Sequence, residues 1–124
     1  MEHSQAVEQL VDALETEVEL LESIAEDEKH LHSVLTSRDW VSLEQYVSKL
    51  NTRSQQVLEA EEGRNAAYQR LRGSLGVEED ERFYDVLEHL PIETRTQLSQ
   101  LYRRLKIAII QVRSVTGGID TYVT

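Results

Sequence analysis

Apolar residues recur along this chain in steps of four and three. Val7, Val11, Leu14, Val18, Leu21 and Ala25 form one such series. Leu43, Val47, Leu50 and Val57 form a second, with Ser54 as its one polar step, and Leu98, Leu101, Leu105, Ala108, Val112, Val115, Ile119 and Tyr122 form a third. A mean step of 3.5 residues keeps one seam of a helix turned toward a partner helix, so the pattern predicts long packed helices. The expected fold is all-α: an elongated antiparallel three-helix bundle or coiled coil, with a short extra helix before the third long one. The 124 residues make one helical domain, because a chain of this size fills one core and not two.

Breaks in the pattern divide the helices at about residues 5–35, 40–72, 80–90 and 92–116. Ser4 is the expected cap of the first, accepting a free N–H of its first turn. Leu10, Leu20, Ile24, Leu31 and Val34 widen that helix's seam into a stripe able to meet two neighbours. Thr36, Ser37, Arg38 and Asp39 make a connection so short that it joins antiparallel neighbours, with Asp39 capping the second helix. From Trp40 onward, Leu43, Tyr46, Val47, Leu50, Val57, Leu58, Ala67, Tyr68 and Leu71 define an inner side.

Glu61 and Arg64 interrupt this seam, three residues apart on one face. Two readings fit: a solvated stretch that the third long helix does not cover, or a polar contact that sets the register. Gly73 and Gly76 end the helix by allowing a left-handed conformation. The acidic run from Val77 to Glu81 then forms a loop and the first turn of a short helix, whose apolar face is Phe83, Val86, Leu87 and Leu90. Pro91 marks the start of the last helix.

From Leu105 to Val115 this last helix is apolar nearly all round, more than a hairpin can cover on one side, so some of its surface is expected to remain for another protein. Gly117 and Gly118 together cost a helix about 2 kcal/mol relative to alanine, so an end or a bend is expected there. Residues 117–124 are then a flexible or bent continuation of a natural chain that is longer.

Charge sharpens the picture. The net charge of −10 argues against nucleic acid, since phosphate repels a surface with no concentrated basic patch. Residues 1–30 carry ten acids and one base, whereas residues 91–115 carry Glu93 against Arg95, Arg103, Arg104, Lys106 and Arg113, so the first and third long helices should attract each other. No apolar run approaches the ~20 residues of a membrane span, and no basic region followed by an apolar run opens the chain, so a cytoplasmic protein is expected.

Chemistry finds little footing. Glu26 with His30 and Glu28 with His32 are four apart on one helix, but di-iron bundles need paired Glu-x-x-His motifs on separate helices, which this chain lacks. There is no cysteine, no Gly-x-Ser-x-Gly and no glycine-rich phosphate loop. The sequence predicts no enzyme, no catalytic residue, no metal and no cofactor.

The detailed pattern resembles the FlgN family of flagellar type III export chaperones. The residues that carry it are Leu20, Leu21 and Ile24; Leu31 and Leu35; the turn Ser37-Arg38-Asp39 followed by Leu43; Glu61 and Arg64 before Leu71; and the closing Leu101, Tyr102, Leu105, Ile109, Val112 and Arg113. The match spans about residues 10–116. After this Val-Arg step the family has asparagines spaced along a continuing helix, whereas this chain has Thr116-Gly117-Gly118. The resemblance implies a cytosolic chaperone, without cofactor, that binds C-terminal helices of hook-filament junction proteins and delivers them to the export gate and its ATPase components. It implies no membrane insertion, and a monomer or weak dimer is expected. Leu105, Ile109, Val112, Ile119 and Tyr122 are the expected partner-binding residues, with seam packing as the alternative for Leu105 and Val112. Tyr122 is also a candidate contact for the gate. The competing reading is a structural coiled-coil protein that closes a homodimer and has no client.

Overall fold

A computed structural model describes the backbone of residues 2–78 and 80–123 and the side chains of residues 4–78 and 80–112. Among the described residues four helices follow one another: α1 (Glu2–Ser37), α2 (Trp40–Leu75), α3 (Phe83–Leu87) and α4 (Ile92–Val123). There is no strand among the described residues. The chain is an all-α bundle in which α1 packs along both α2 and α4, so α1 is the middle helix.

Local chemistry explains the boundaries. Arg38 is left-handed (φ 58°), and the N–H groups of Arg38 and Asp39 donate to the carbonyls of Leu35 and Val34, closing the end of α1. Asp39 then caps α2: one carboxylate oxygen accepts from the Ser42 N–H at 3.2 Å and the other from its hydroxyl at 2.7 Å. These bonds to Ser42 hold the Asp39 carboxyl below its ordinary pKa. At the far end Gly76 (φ 68°) repeats the left-handed stop, its N–H and that of Val77 reaching Gly73 and Arg72 carbonyls.

Several boundaries differ from those expected. α1 begins at Glu2, so Ser4 lies inside it and is no cap. α2 passes through Gly73 and stops only where Gly76 takes a positive φ, the conformation that ends a helix. The acidic run precedes α3, which starts at Phe83 without a side-chain cap. The short helix spans five residues and not eleven because Glu88, His89 and Leu90 close tighter i to i−3 turns. Pro91 stands just before α4, its carbonyl accepting the first helical bond from Arg95. The backbone stays helical through Gly117 and Gly118 to Val123: a helix already nucleated propagates by one bond per residue, which offsets the weak propensity of glycine.

The core lies between α1 and α4 and at the C-terminal end of α2. Leu10, Leu14, Val18, Leu71, Leu87, Leu98 and Leu105 are essentially inaccessible, and Leu87 and Leu90 let α3 and its following turn close one end. α2 contributes little more than Ala67 and Leu71 to this core. Val47 and Leu58, expected on its inner side, are exposed, because α2 meets α1 through charged groups over much of its length.

Three polar ties join α1 to α2. Gln9 accepts from Arg70 at 3.0 Å, Glu17 accepts from Arg64 Nε at 2.6 and 3.1 Å, and Asp27 takes both Arg53 and Lys49. Glu17 and Asp27 are buried. Thus Arg64 is partly buried and bonds not to Glu61 but to Glu17, 47 residues away, setting the register of the hairpin. Opposite charge also joins α1 to α4, as expected, through one bidentate pair between Glu22 and Arg104. The hydrogen bonds that Arg104 donates to Glu22 raise the pKa of Arg104.

Burial pushes the Glu17 carboxyl above its ordinary pKa, outweighing the attraction and hydrogen bond of Arg64, and the nearby charge of Glu61 adds to the rise. A carboxyl raised on folding binds its proton more tightly folded than unfolded. Its protonation therefore favours the fold below the usual carboxylate range, and that contribution is lost as pH rises through the folded pKa.

Two predictions follow from this division of labour. Leu98→Ala should cost about 2–5 kcal/mol in urea denaturation, and Leu58→Ala about 0.5 kcal/mol or less, by the contrast between core and surface sites. Arg64→Met, which strands Glu17, should cost about 3 kcal/mol at pH 7 and progressively less as pH falls toward the range where Glu17 takes up a proton. A cost independent of pH would contradict the role given to Glu17.

Candidate helix-docking face

The side of α4 turned from α1 is where apolar residues lack cover. Ile107 is 48% and Ile110 64% exposed, in the middle of a helix whose opposite side buries Leu98, Leu105 and Ala108. A helix carries a neighbour's contacts over roughly a third to a half of its girth, and this segment is apolar on more than that. Arg103 and Lys106 stand exposed beside the two isoleucines. The face is therefore apolar with a positive border, on a chain that is otherwise strongly acidic.

Lys106 is anchored where it stands. Its ammonium lies 4.6 Å from the centre of the Tyr102 ring and 5.5 Å from that of Tyr84, within range of cation–π attraction. Those rings belong to an aromatic cluster that ties α3 to its neighbours: Phe83 lies 4.3 Å from Tyr102, 5.6 Å from Tyr68 and 5.6 Å from Tyr84. Arg72 lies over the Tyr68 ring at 5.7 Å. Burial raises the pKa of the Tyr68 hydroxyl, against the opposing pull of Arg72, so the phenol is neutral at physiological pH.

Beside this cluster is a cavity of about 240 Å³ between α1, α2 and α4, with Leu10 and Leu14 at its floor, Tyr68, Phe83 and Tyr102 as walls and Asn65 and Gln69 among its lining. A space of this size and character suits one large apolar side chain. A broader groove of about 610 Å³ runs between α1 and α2, where Leu20 and Ala60 lie among Thr16, Glu19, Ser23, Gln56 and Glu59.

The expected partner-binding residues divide by position. Leu105 is 2% exposed and belongs to the core, so it has no surface to offer a partner; it faces α1, the seam alternative. Ile109 and Val112 are half-buried and pack against the same core. The side chains of Ile119 and Tyr122 lie outside the described residues. Ile107 and Ile110, which the sequence reading passed over, stand free in the middle of α4, as Ile92 does at its start. Their signal was available: they fall between the seam positions Leu105, Ala108 and Val112.

Of the histidines weighed as ligands, His30 stacks on the Tyr46 ring at 6.0 Å. Among the described residues no three His, Cys, Asp or Glu side chains are grouped to hold a metal ion, and no helix is long and apolar enough to cross a membrane. What the α4 face can do chemically is bury the apolar stripe of another helix and attract carboxylates along its edge.

Comparison with known proteins leaves the chain without a relative: no protein-family model matches it, and neither a curated protein nor a solved structure is significantly similar.

Proposed function

We propose that this protein is a cytoplasmic export chaperone that captures an amphipathic helix of its client on the outer face of α4. The observation that carries the reading is the exposure of Ile107 and Ile110 side by side, bordered by Arg103 and Lys106, on a helix whose opposite side buries Leu98, Leu105 and Ala108. Surfaces of this kind are apolar helix-in-groove sites, and a client held there is kept from assembling through the same stripe. The sequence resemblance to the FlgN family supplies the class of client: the C-terminal helices of hook-filament junction proteins, carried to the flagellar type III export gate. The half-buried Ile109 and Val112 form the inner margin of the contact.

A fluorescently labelled peptide of a junction protein's C-terminal helix tests this by anisotropy titration. Ile110→Asp should weaken capture at least about tenfold while circular dichroism stays unchanged, because burying one unpaired charge at such a contact costs well over 1.4 kcal/mol. Leu105→Asp should instead unfold the bundle. Undetectable binding by the native chain, or undiminished binding by Ile110→Asp, would overturn the reading.

A further inference from the structure

α2 carries a second uncovered stripe. Trp40, Val47 and Leu58 are 60%, 43% and 61% exposed. Their spacings of seven and eleven residues align them within about 20° on one line of the helix. The five bases of α2 are turned elsewhere. Lys49 and Arg53 hold Asp27, Arg64 holds Glu17, Arg70 holds Gln9, and Arg72 is buried against Tyr68. The charges left around the stripe are the exposed acids Glu44, Glu61 and Glu62. The α4 face has the opposite border, since residues 94–112 contain no acid and present Arg103 and Lys106.

Leu58 on α2 and Ile110 on α4 also lie at one level along α1, each next to the flank by which its helix meets Phe83. Tyr68 and Tyr102 mark where α2 and α4 meet the Phe83 ring. Leu58 lies about 80° around α2 from Tyr68, and Ile110 about 80° around α4 from Tyr102, each turning away from α1. Arg53 on α2 meets α1 at Asp27, and Arg104 on α4 meets it at Glu22, so the stretch from Val47 to Leu58 and the pair Ile107 and Ile110 flank the same part of α1.

We infer that the occupant of this surface in the client-free protein is a second copy of the chain, placed by a two-fold axis parallel to the helices. That operation sets the acidic stripe of α2 from each copy over the basic stripe of α4 from the other, in two identical antiparallel contacts. The surface is self-complementary in shape of stripe and in sign of charge, which is what a closed isologous dimer requires. A client helix that takes α4 displaces the partner copy, so self-association and client capture exclude each other.

Sedimentation equilibrium from about 5 to about 200 µM tests the pairing, a range in which a moderate contact shifts from monomer to dimer. The native chain should dimerise with concentration, and less readily in 0.5 M salt. Glu61→Lys/Glu62→Lys makes both stripes positive, and Arg103→Glu/Lys106→Glu makes both negative. Each double variant alone should dissociate at least about tenfold more readily, and an equimolar mixture of the two should recover a heterodimer near native affinity. A native chain that stays monomeric, variants that dimerise as well as it does, or a mixture that fails to recover would each overturn the proposal. Should a charge variant lose its helical signal, Leu58→Ser and Ile110→Ser replace it, each expected to weaken the dimer. The Glu61→Lys/Glu62→Lys chain keeps α4 intact. Peptide capture by that chain therefore reports on the chaperone reading separately: capture without dimerisation of the native chain sinks only the dimer, and dimerisation without capture sinks only the chaperone.

Discussion

The buried pair between Glu17 and Arg64 fixes how the rest of the molecule is arranged. α1 has one circumference to share between two long neighbours, and its leucines and valines are largely committed to the side shared with α4 and the end of α2. Toward the middle of α2 it turns Glu17 and Asp27, both buried, beside the buried Ile24 and Leu31, and α2 answers the two carboxylates with Arg64, Arg53 and Lys49. A buried carboxylate without its partner is costly, so these pairs specify register more sharply than apolar contacts could, even where they add little net stability. The hairpin is thereby held in one alignment. The same commitment frees the apolar positions Trp40, Val47 and Leu58 from any role in packing against α1.

The surface follows from that allocation. Because α2 spends its bases inward, its outer side is acidic and apolar. Because α4 packs through Leu98, Leu105 and Ala108, its isoleucine-rich stretch has two members left over, and Arg103 and Lys106 give them a positive edge. Lys106 is held over Tyr102 and Tyr84 by the cluster that also seats α3. One five-residue helix thus closes the end of the core and positions part of the exposed border.

Much of this was legible in the sequence. Steps of three and four gave the long helices, and Asp39 and Gly76 supplied the chemistry of their ends. The attraction between an acidic first helix and a basic last one appears as Glu22 with Arg104. The partner of Arg64 was not legible, because helical spacing reveals Glu61 three residues away and is silent about Glu17 forty-seven away. Nor did periodicity say which part of a nearly all-apolar helix would be covered: Leu105 reads like Ile110 until the position of α1 is known. The extent of α4 past Gly117 and Gly118 escaped for a related reason, since local propensity measures the cost of a residue and not the cooperativity of the helix around it.

The claim on which function rests is that Ile107 and Ile110 of α4 are left bare by their own chain. Isoleucine-methyl NMR of a dilute sample with a water-soluble paramagnetic probe measures this directly. Strong relaxation of the Ile107 and Ile110 methyls, with Ile24 shielded, is the result expected from their positions. Shielding of Ile107 and Ile110 equal to that of Ile24 in the dilute monomer would contradict it.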